Sequence, residues 1–128
     1  MKNEKILLAI LLVGIFTLLP GCKTVIVNPG GGPIAEYSMG VLEATMSQNI
    51  DTVYSATEKA IGQLELTVTS KTKDALSAQI IARDSLDKKI SIKLYSTPEK
   101  ATKLTIRVGT VGSENKSRLI YQKINENL

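Results

Sequence analysis

Apolar and polar residues alternate along four successive stretches between residues 64 and 108. Alternation with a period of two is typical of a β-strand that buries one face and exposes the other to water. The apolar members of the four stretches are Leu64, Leu66 and Val68; Leu76, Ala78, Ile80 and Ala82; Ile90, Ile92 and Leu94; and Leu104, Ile106 and Val108. Short links with turn-forming residues separate the stretches, so the pattern predicts an antiparallel meander of four strands.

The residues before this meander predict one further strand and a helix. The alternating residues of that strand are Tyr37, Met39 and Val41. Between residues 50 and 64 the apolar positions recur at the 3.6-residue period of a helix. Thr45 and Gln48 have the spacing of a capping box, which predicts the start of this helix. Gly62 is expected to mark its end.

A second amphipathic helix is expected after the meander. Gly109 and Gly112 interrupt the sheet, and Ser113 can cap the helix that follows. The apolar face of this helix carries Ile120, Tyr121, Ile124 and Leu128. The resulting order, β-α-β-β-β-β-α, predicts an α+β fold: a two-layer sandwich in which two helices cover one face of an antiparallel sheet of about five strands.

The first residues of the chain follow a different pattern, that of a secretory signal. Two lysines precede an apolar run at residues 6–19, and a small residue, Gly21, follows it. A charged start, an apolar centre and a small residue at the end are the three parts of a signal peptide. The run is shorter than the about 20 apolar residues that a membrane-spanning helix needs. We therefore expect residues 1–21 to be a cleaved signal peptide.

The end of that run is similar to the lipobox of bacterial lipoproteins. The motif residues are Leu19, Pro20, Gly21 and Cys22. The resemblance implies that the Cys22 thiol receives a diacylglycerol, that the bond after Gly21 is cut, and that the new N-terminus is acylated with a fatty acid such as palmitate. It also implies a bacterial membrane lipoprotein. Lys23 stands where an aspartate would imply retention in the inner membrane, so the implied location is the outer membrane, facing the periplasm.

Residues 22–35 are expected to form the lipidated N-terminus and a flexible tether. The stretch Asn28-Pro29-Gly30-Gly31-Gly32-Pro33 is typical of a loop. It lacks the lysine and the serine or threonine that a phosphate-binding loop places after its glycines, so a tether is the favoured interpretation. The folded part is then expected to span residues 36–128 as a single domain.

Four segments of the mature chain carry a second resemblance. They are Gly40-Val41-Leu42-Glu43, Asp51-Thr52-Val53-Tyr54, Leu66-Thr67-Val68 and Arg107-Val108-Gly109-Thr110-Val111-Gly112. Together they resemble a family of short bacterial lipoproteins known only as domain of unknown function 3568. The resemblance covers most of the mature chain and supports the expected fold and location. Its segments are packing and turn motifs, so it implies no activity.

Composition narrows the possible chemistry. The chain has 128 residues, with 16 lysines and arginines against 12 acidic residues, no histidine and one cysteine. Without histidine the commonest general base and metal ligand is missing, and one cysteine can form neither an internal disulfide nor a thiolate cage. We expect the protein to have no catalytic activity, no bound metal and no cofactor. Asp84 and Asp87 are expected to accept backbone hydrogen bonds in a hairpin turn.

Basic residues at polar positions of the predicted strands form the candidate binding surface. They are Lys71, Lys89, Lys93, Lys103 and Arg107. Such a row can simply keep a sheet face soluble, or it can bind an anionic envelope glycan or lipid. The main hypothesis is a non-catalytic, membrane-anchored envelope lipoprotein that serves as an accessory module or interacts with a protein. Binding of an anionic glycan or lipid by the basic face is the alternative, and a net charge of +4 is too small to indicate nucleic acid.

Overall fold

The computed structural model describes residues 24–26 and 34–128, which form one antiparallel sheet and two helices. The strands are β1 (Thr24–Ile26), β2 (Ala35–Ser38), β3 (Val41–Met46), β4 (Thr67–Lys73), β5 (Ser77–Arg83), β6 (Lys89–Ser96) and β7 (Thr102–Val108). The helices are α1 (Ile50–Gln63) and α2 (Glu114–Glu126). The strands lie in the order β1-β2-β3-β7-β6-β5-β4. The α+β class is confirmed, with six longer strands and the short β1 instead of the expected five.

Both helices pack on the same face of the sheet and leave the other face open. Helix α1 contacts β5 and β6, α2 contacts β3 and β7, and the two helices contact each other. The buried strand residues between the layers include Leu42, Ala78, Ile80, Ile90, Ile92, Leu94, Leu104, Ile106 and Val108. Burial of a large aliphatic side chain contributes about 1.5–3 kcal/mol, so this layer holds the helices on the sheet. The alternation predicted for β5, β6 and β7 is confirmed except at Leu76, which precedes β5 and is 70% exposed.

The predicted first strand is a hairpin of two strands. Met39 and Gly40 form the turn between β2 and β3, with φ angles of 51° and 80°. Ser38 then pairs with Val41, so Tyr37 faces the helices and Val41 faces the open side. A two-residue turn does not interrupt the alternation of residue types, which is why the pattern resembles one continuous strand.

The start of α1 also differs from the prediction. Thr45 lies in β3, so it cannot cap the helix, and the predicted capping box is wrong. Asn49 is the capping residue, because its Oδ1 accepts a hydrogen bond of 2.9 Å from the Thr52 amide. Gly62 lies in the last turn of α1, close to the predicted end.

The link between α1 and β4 contains the start of the predicted meander. Leu64 and Leu66 lie in that link and pack against the core, and Glu65 between them has a φ of 55°. Strand β4 begins only at Thr67, and all of its residues are exposed. It is the edge strand beyond β5 in the sheet, and the helices leave its residues exposed.

The remaining predictions, for α2 and for the tether, agree with the structure only in part. Ser113 occupies the capping position of α2, but its side chain makes no capping hydrogen bond. The predicted apolar face of α2 is buried except at Leu128. Part of the expected tether is structured, because Thr24–Ile26 forms β1 and pairs with β2. The signal peptide, the lipobox and residues 27–33 lie outside the described residues.

Candidate functional site

The open face of the sheet carries a groove of about 780 Å³ at one end. Ser91, Lys93 and Arg107 line its floor. These residues alternate with the buried residues of β6 and β7, so they point away from the helices. The loop of residues 84–88 contributes one wall, and the loop of residues 109–112 contributes the other.

Four cations line this groove, which we call the cationic groove: Lys88, Lys89, Lys93 and Arg107. Among residues 24–26 and 34–128, none of the four has a carboxylate oxygen within 4.0 Å. The Arg107 guanidinium donates instead to the carbonyl oxygen of Thr110, which ties the loop after β7 back to its strand. Cations without carboxylates within ion-pair distance, gathered on adjacent strands, produce a positive local potential.

Lys71 does not belong to this surface, and the prediction that placed it there is wrong. A bulge between Val68 and Ser70 adds one residue to β4, and one extra residue moves the following side chains to the other face. Lys71 therefore lies opposite the buried Ile80, on the helix side. Its Nζ lies 2.8 Å from Oε1 of Glu58 in α1, and that hydrogen bond raises the pKa of Lys71 above its ordinary value of 10.5.

Lys103 lies on the open face in a depression that adjoins the cationic groove and shares Lys93 and Arg107 with it. Its Nζ lies 3.4 Å from Oε2 of Glu43 on the neighbouring strand β3. Both side chains are about half exposed, so this is a surface ion pair. Of the five predicted basic residues, the structure brings Lys89, Lys93 and Arg107 together in the cationic groove and places Lys103 in the adjoining depression.

Two glycines hold the rim of the cationic groove in place. Gly40 in the β2–β3 turn and Gly112 in the loop after β7 have φ angles of 80° and 88°. A Cβ on Gly40 would lie 2.5 Å from the carbonyl oxygen of Val111, and a Cβ on Gly112 would lie 2.3 Å from the Gly40 Cα. The two backbones therefore touch, which only glycine permits. This contact explains why both segments stand out as packing motifs.

Asp84 organises the opposite wall. Its Oδ1 accepts hydrogen bonds of 2.9 Å from the amides of Leu86 and Lys88, and its Oδ2 accepts one from Lys116 Nζ in α2. The Lys116 bond is the main cause that lowers the pKa of Asp84 to about 2, and the backbone donors add to it. The prediction that Asp84 accepts backbone hydrogen bonds is confirmed, whereas Asp87 lies 3.6 Å from a guanidinium nitrogen of Arg83.

Sequence reasoning missed the loop residues of the cationic groove. Lys88 precedes Lys89 directly, and this doublet is the signal that the sequence offers. Because Lys88 falls in a turn, alternation assigns it to neither face of the sheet. Leu86 and Val111 also line the groove. Both lie in loops, so only the tertiary arrangement places them there.

The family described as "Protein of unknown function (DUF3568)" matches residues 5–127 of the sequence. The chain belongs to this family. The match extends over both loops and both strands that build the cationic groove of this DUF3568 chain. No curated protein matches the sequence.

Metal sites and membrane-spanning helices are both absent from the described part of this DUF3568 chain. Among residues 24–26 and 34–128, no group of three or more acidic, histidine or cysteine residues is placed to hold a metal ion. Within the same residues, neither helix has the length and apolar character needed to cross a membrane.

Proposed function

We propose that this DUF3568 chain is a bacterial envelope lipoprotein, anchored by lipid on Cys22, whose domain is a non-catalytic module that binds anionic groups in the cationic groove. These groups are phosphates or carboxylates of an envelope component, a glycan or a lipid. The proposed place of action is the periplasmic side of the outer membrane.

One observation carries the binding part of this proposal. Four cations line one groove, and no carboxylate of the described residues lies within 4.0 Å of any of them. Elsewhere on the described surface, Lys71, Lys73 and Lys103 have acidic partners, whereas Lys59 and Lys100 have none and do not line the groove. A solubilising face needs no such concentration of uncompensated charge, so the arrangement favours an anionic ligand.

The anchor rests on the sequence of the signal segment and the lipobox-like residues. A diacylglycerol and an N-terminal acyl chain together give stable anchoring, whereas a single chain holds a protein only marginally. Anchoring also strengthens weak contacts, because a tethered domain meets membrane components at a high effective concentration.

The non-catalytic part rests on the state of the acidic groups near the groove. Among the described residues, no acidic side chain lines the groove, and Asp84 in the adjoining loop is held ionised by Lys116 and two amides, with its pKa at about 2. A group with that pKa is a poor general acid or base near neutral pH. Its hydrogen bonds give it a structural role in the loop.

A protein partner is the alternative, either on the open face or at the β4 edge. The edge is a weak site for strand addition, because the bulge between Val68 and Ser70 interrupts its regular pairing. The distinguishing property is salt dependence, since an anionic ligand should dissociate as ionic strength rises and an apolar interface should not.

The anchor is tested by metabolic labelling with a radioactive fatty acid. We expect the unaltered chain to incorporate label and Cys22→Ala to incorporate none. Label retained by Cys22→Ala would refute the anchor.

The groove is tested with two matched pairs of charge reversals on the lipidated protein in uncharged detergent. The groove pair is Lys89→Glu with Lys93→Glu, and the control pair is Lys59→Glu with Lys100→Glu. All four lysines are exposed and have no ion pair among the described residues. Each lysine near an anionic surface contributes about 1 kcal/mol, so the groove pair should weaken binding of a fluorescent polyphosphate by at least roughly 30-fold. Equal losses from both pairs would show that only net charge matters and would reject the groove as the site.

A further inference from the structure

The most exposed large apolar side chains of the described residues gather at one end of the sheet. Met39 is 93% exposed, Val111 85% and Leu86 82%. They lie in the β2–β3 turn, the β7–α2 loop and the β5–β6 loop, which the antiparallel register brings to the same end. Contact between Gly40 and Gly112 joins the first two loops, and the groove joins the last two. We call the surface of these three loops the loop end.

Lysines flank the apolar tips of the loop end. Lys88 and Lys89 line the mouth of the cationic groove beside Leu86, and no carboxylate of the described residues pairs with them. The carboxylates of the same loop are engaged: Asp84 accepts hydrogen bonds from α2 and from its own loop, and Asp87 faces a guanidinium. Apolar tips beside lysines without acidic partners are typical of surfaces that insert into the interface of an anionic membrane.

The N-terminal strand β1 begins at the same end of the sheet. Thr24 pairs with Tyr37, two positions before Met39 at the tip of the β2–β3 turn. Cys22 precedes Thr24 by two residues, and two residues extend by at most about 7 Å. Only one residue separates Cys22 from the paired strand β1. A lipid on Cys22 would therefore enter the bilayer close to the loop end.

We propose that the loop end lies on the anionic phospholipid surface that holds the anchor, with Met39, Leu86 and Val111 inserted among the headgroups and Lys88 and Lys89 paired with lipid phosphates. This inference rests on the proposed lipid anchor. It identifies the anionic groups that the cationic groove takes as the phosphates of phospholipids, and it fixes the orientation of the domain on the membrane.

Two exposed leucines at opposite ends of β5 provide a matched test. Leu86 follows the strand at the loop end, and Leu76, which is 70% exposed, precedes it at the other end. The seven residues of β5 separate them by about 23 Å. In the lipidated protein the thiol of the single cysteine is occupied, so a fluorophore attaches only at an introduced cysteine, Leu86→Cys or Leu76→Cys.

Each labelled lipoprotein is reconstituted into vesicles of phosphatidylglycerol and phosphatidylethanolamine that contain lipids brominated on the acyl chain. We expect quenching at least threefold stronger at position 86 than at position 76. Because the anchor itself lies near the loop end, some difference should remain in phosphatidylcholine vesicles, but it should be much smaller there and after Lys88→Glu with Lys89→Glu. Equal quenching at both positions, or a difference of the same size without anionic lipid, would overturn the proposal.

Two further readouts distinguish a failure of docking from a failure of the anchor. Mass spectrometry of the N-terminal peptide reports the lipid on Cys22, so an acylated protein with equal quenching would refute docking and leave the anchor standing. An unacylated Cys22 would refute the anchor itself and, with it, the docking that rests on it. If the fluorescence at position 86 depended on protein density instead of anionic lipid, the loop end would be assigned to contact with a second copy of the chain. That result would overturn the proposal.

Discussion

Replacement of Gly112 by alanine should destabilise the domain strongly, because Gly112 combines an unfavourable backbone angle with a backbone contact. Its φ of 88° lies in a region that costs an alanine about 1–2 kcal/mol. The added Cβ would also lie 2.3 Å from the Gly40 Cα, so one loop must move. Overpacking that shifts the backbone typically costs about 1–3 kcal/mol. The sum predicts a loss of about 2–5 kcal/mol in the free energy of unfolding.

Two other glycines provide the controls for this prediction. Gly109 has a φ of 71°, but the nearest atom to its added Cβ is the Lys88 Cδ at 3.4 Å, and that side chain can move. Gly109→Ala should therefore cost only the backbone term of about 1–2 kcal/mol. Gly62 lies within α1 and its added Cβ meets nothing within 4 Å. Gly62→Ala should stabilise the protein by about 0.5–1 kcal/mol.

Urea unfolding followed by circular dichroism measures all three variants. The expected order of stability is Gly62→Ala, the unaltered chain, Gly109→Ala and then Gly112→Ala. A Gly112→Ala variant as stable as Gly109→Ala would show that the two loops do not touch as described. The rim of the cationic groove would then lack the support assigned to it.

Three further predictions concern charge and packing. Asp84→Asn should lower the melting temperature at neutral pH, because the variant loses the ion pair with Lys116. Since the pKa of Asp84 is lowered from 3.8 to about 2, this stabilisation is present above pH 4 and is lost as the pH falls through 2. The melting temperatures of the variant and the unaltered chain should therefore converge near pH 2. Lys71→Ala should leave polyphosphate binding unchanged, because Lys71 lies on the helix side with Glu58; a loss in the same binding assay would contradict that placement. Ile106→Ala should lower the free energy of unfolding by about 2–5 kcal/mol, because Ile106 is completely buried. A smaller loss in urea unfolding would contradict the described packing of the core.

The sequence predicted those parts of the fold in which one strong pattern acts alone. Strands β5, β6 and β7 alternate cleanly, and the structure buries their apolar positions. The alternation gave the wrong prediction where a turn or an inserted residue changes which face of the sheet the following side chains occupy. The turn at Met39 and Gly40 leaves the residue types alternating while the chain reverses. The bulge between Val68 and Ser70 lies where only polar residues follow, so the sequence does not show the change of face.

The candidate site was predicted only in part for the same physical reason. Lys89, Lys93 and Arg107 lie on regular strands, so their shared face followed from period-two alternation. Lys71 lies beyond the bulge, and the local sequence pattern does not predict that bulge. The loop residues depend on contacts between distant segments, such as that of Gly40 with Gly112, which no local pattern encodes.

The salt dependence of anion binding tests the central claim most directly. The association constant of the lipidated protein for fluorescent polyphosphate would be measured by anisotropy between about 20 and 300 mM salt. Because the Debye length falls from about 20 Å to less than about 8 Å over this range, binding through exposed lysines should weaken steeply. We predict a steep decline for the unaltered protein and for the Lys59→Glu, Lys100→Glu control, and a much shallower one for Lys89→Glu, Lys93→Glu. A flat dependence for the unaltered protein, or the same slope for both variants, would contradict an anion-binding groove.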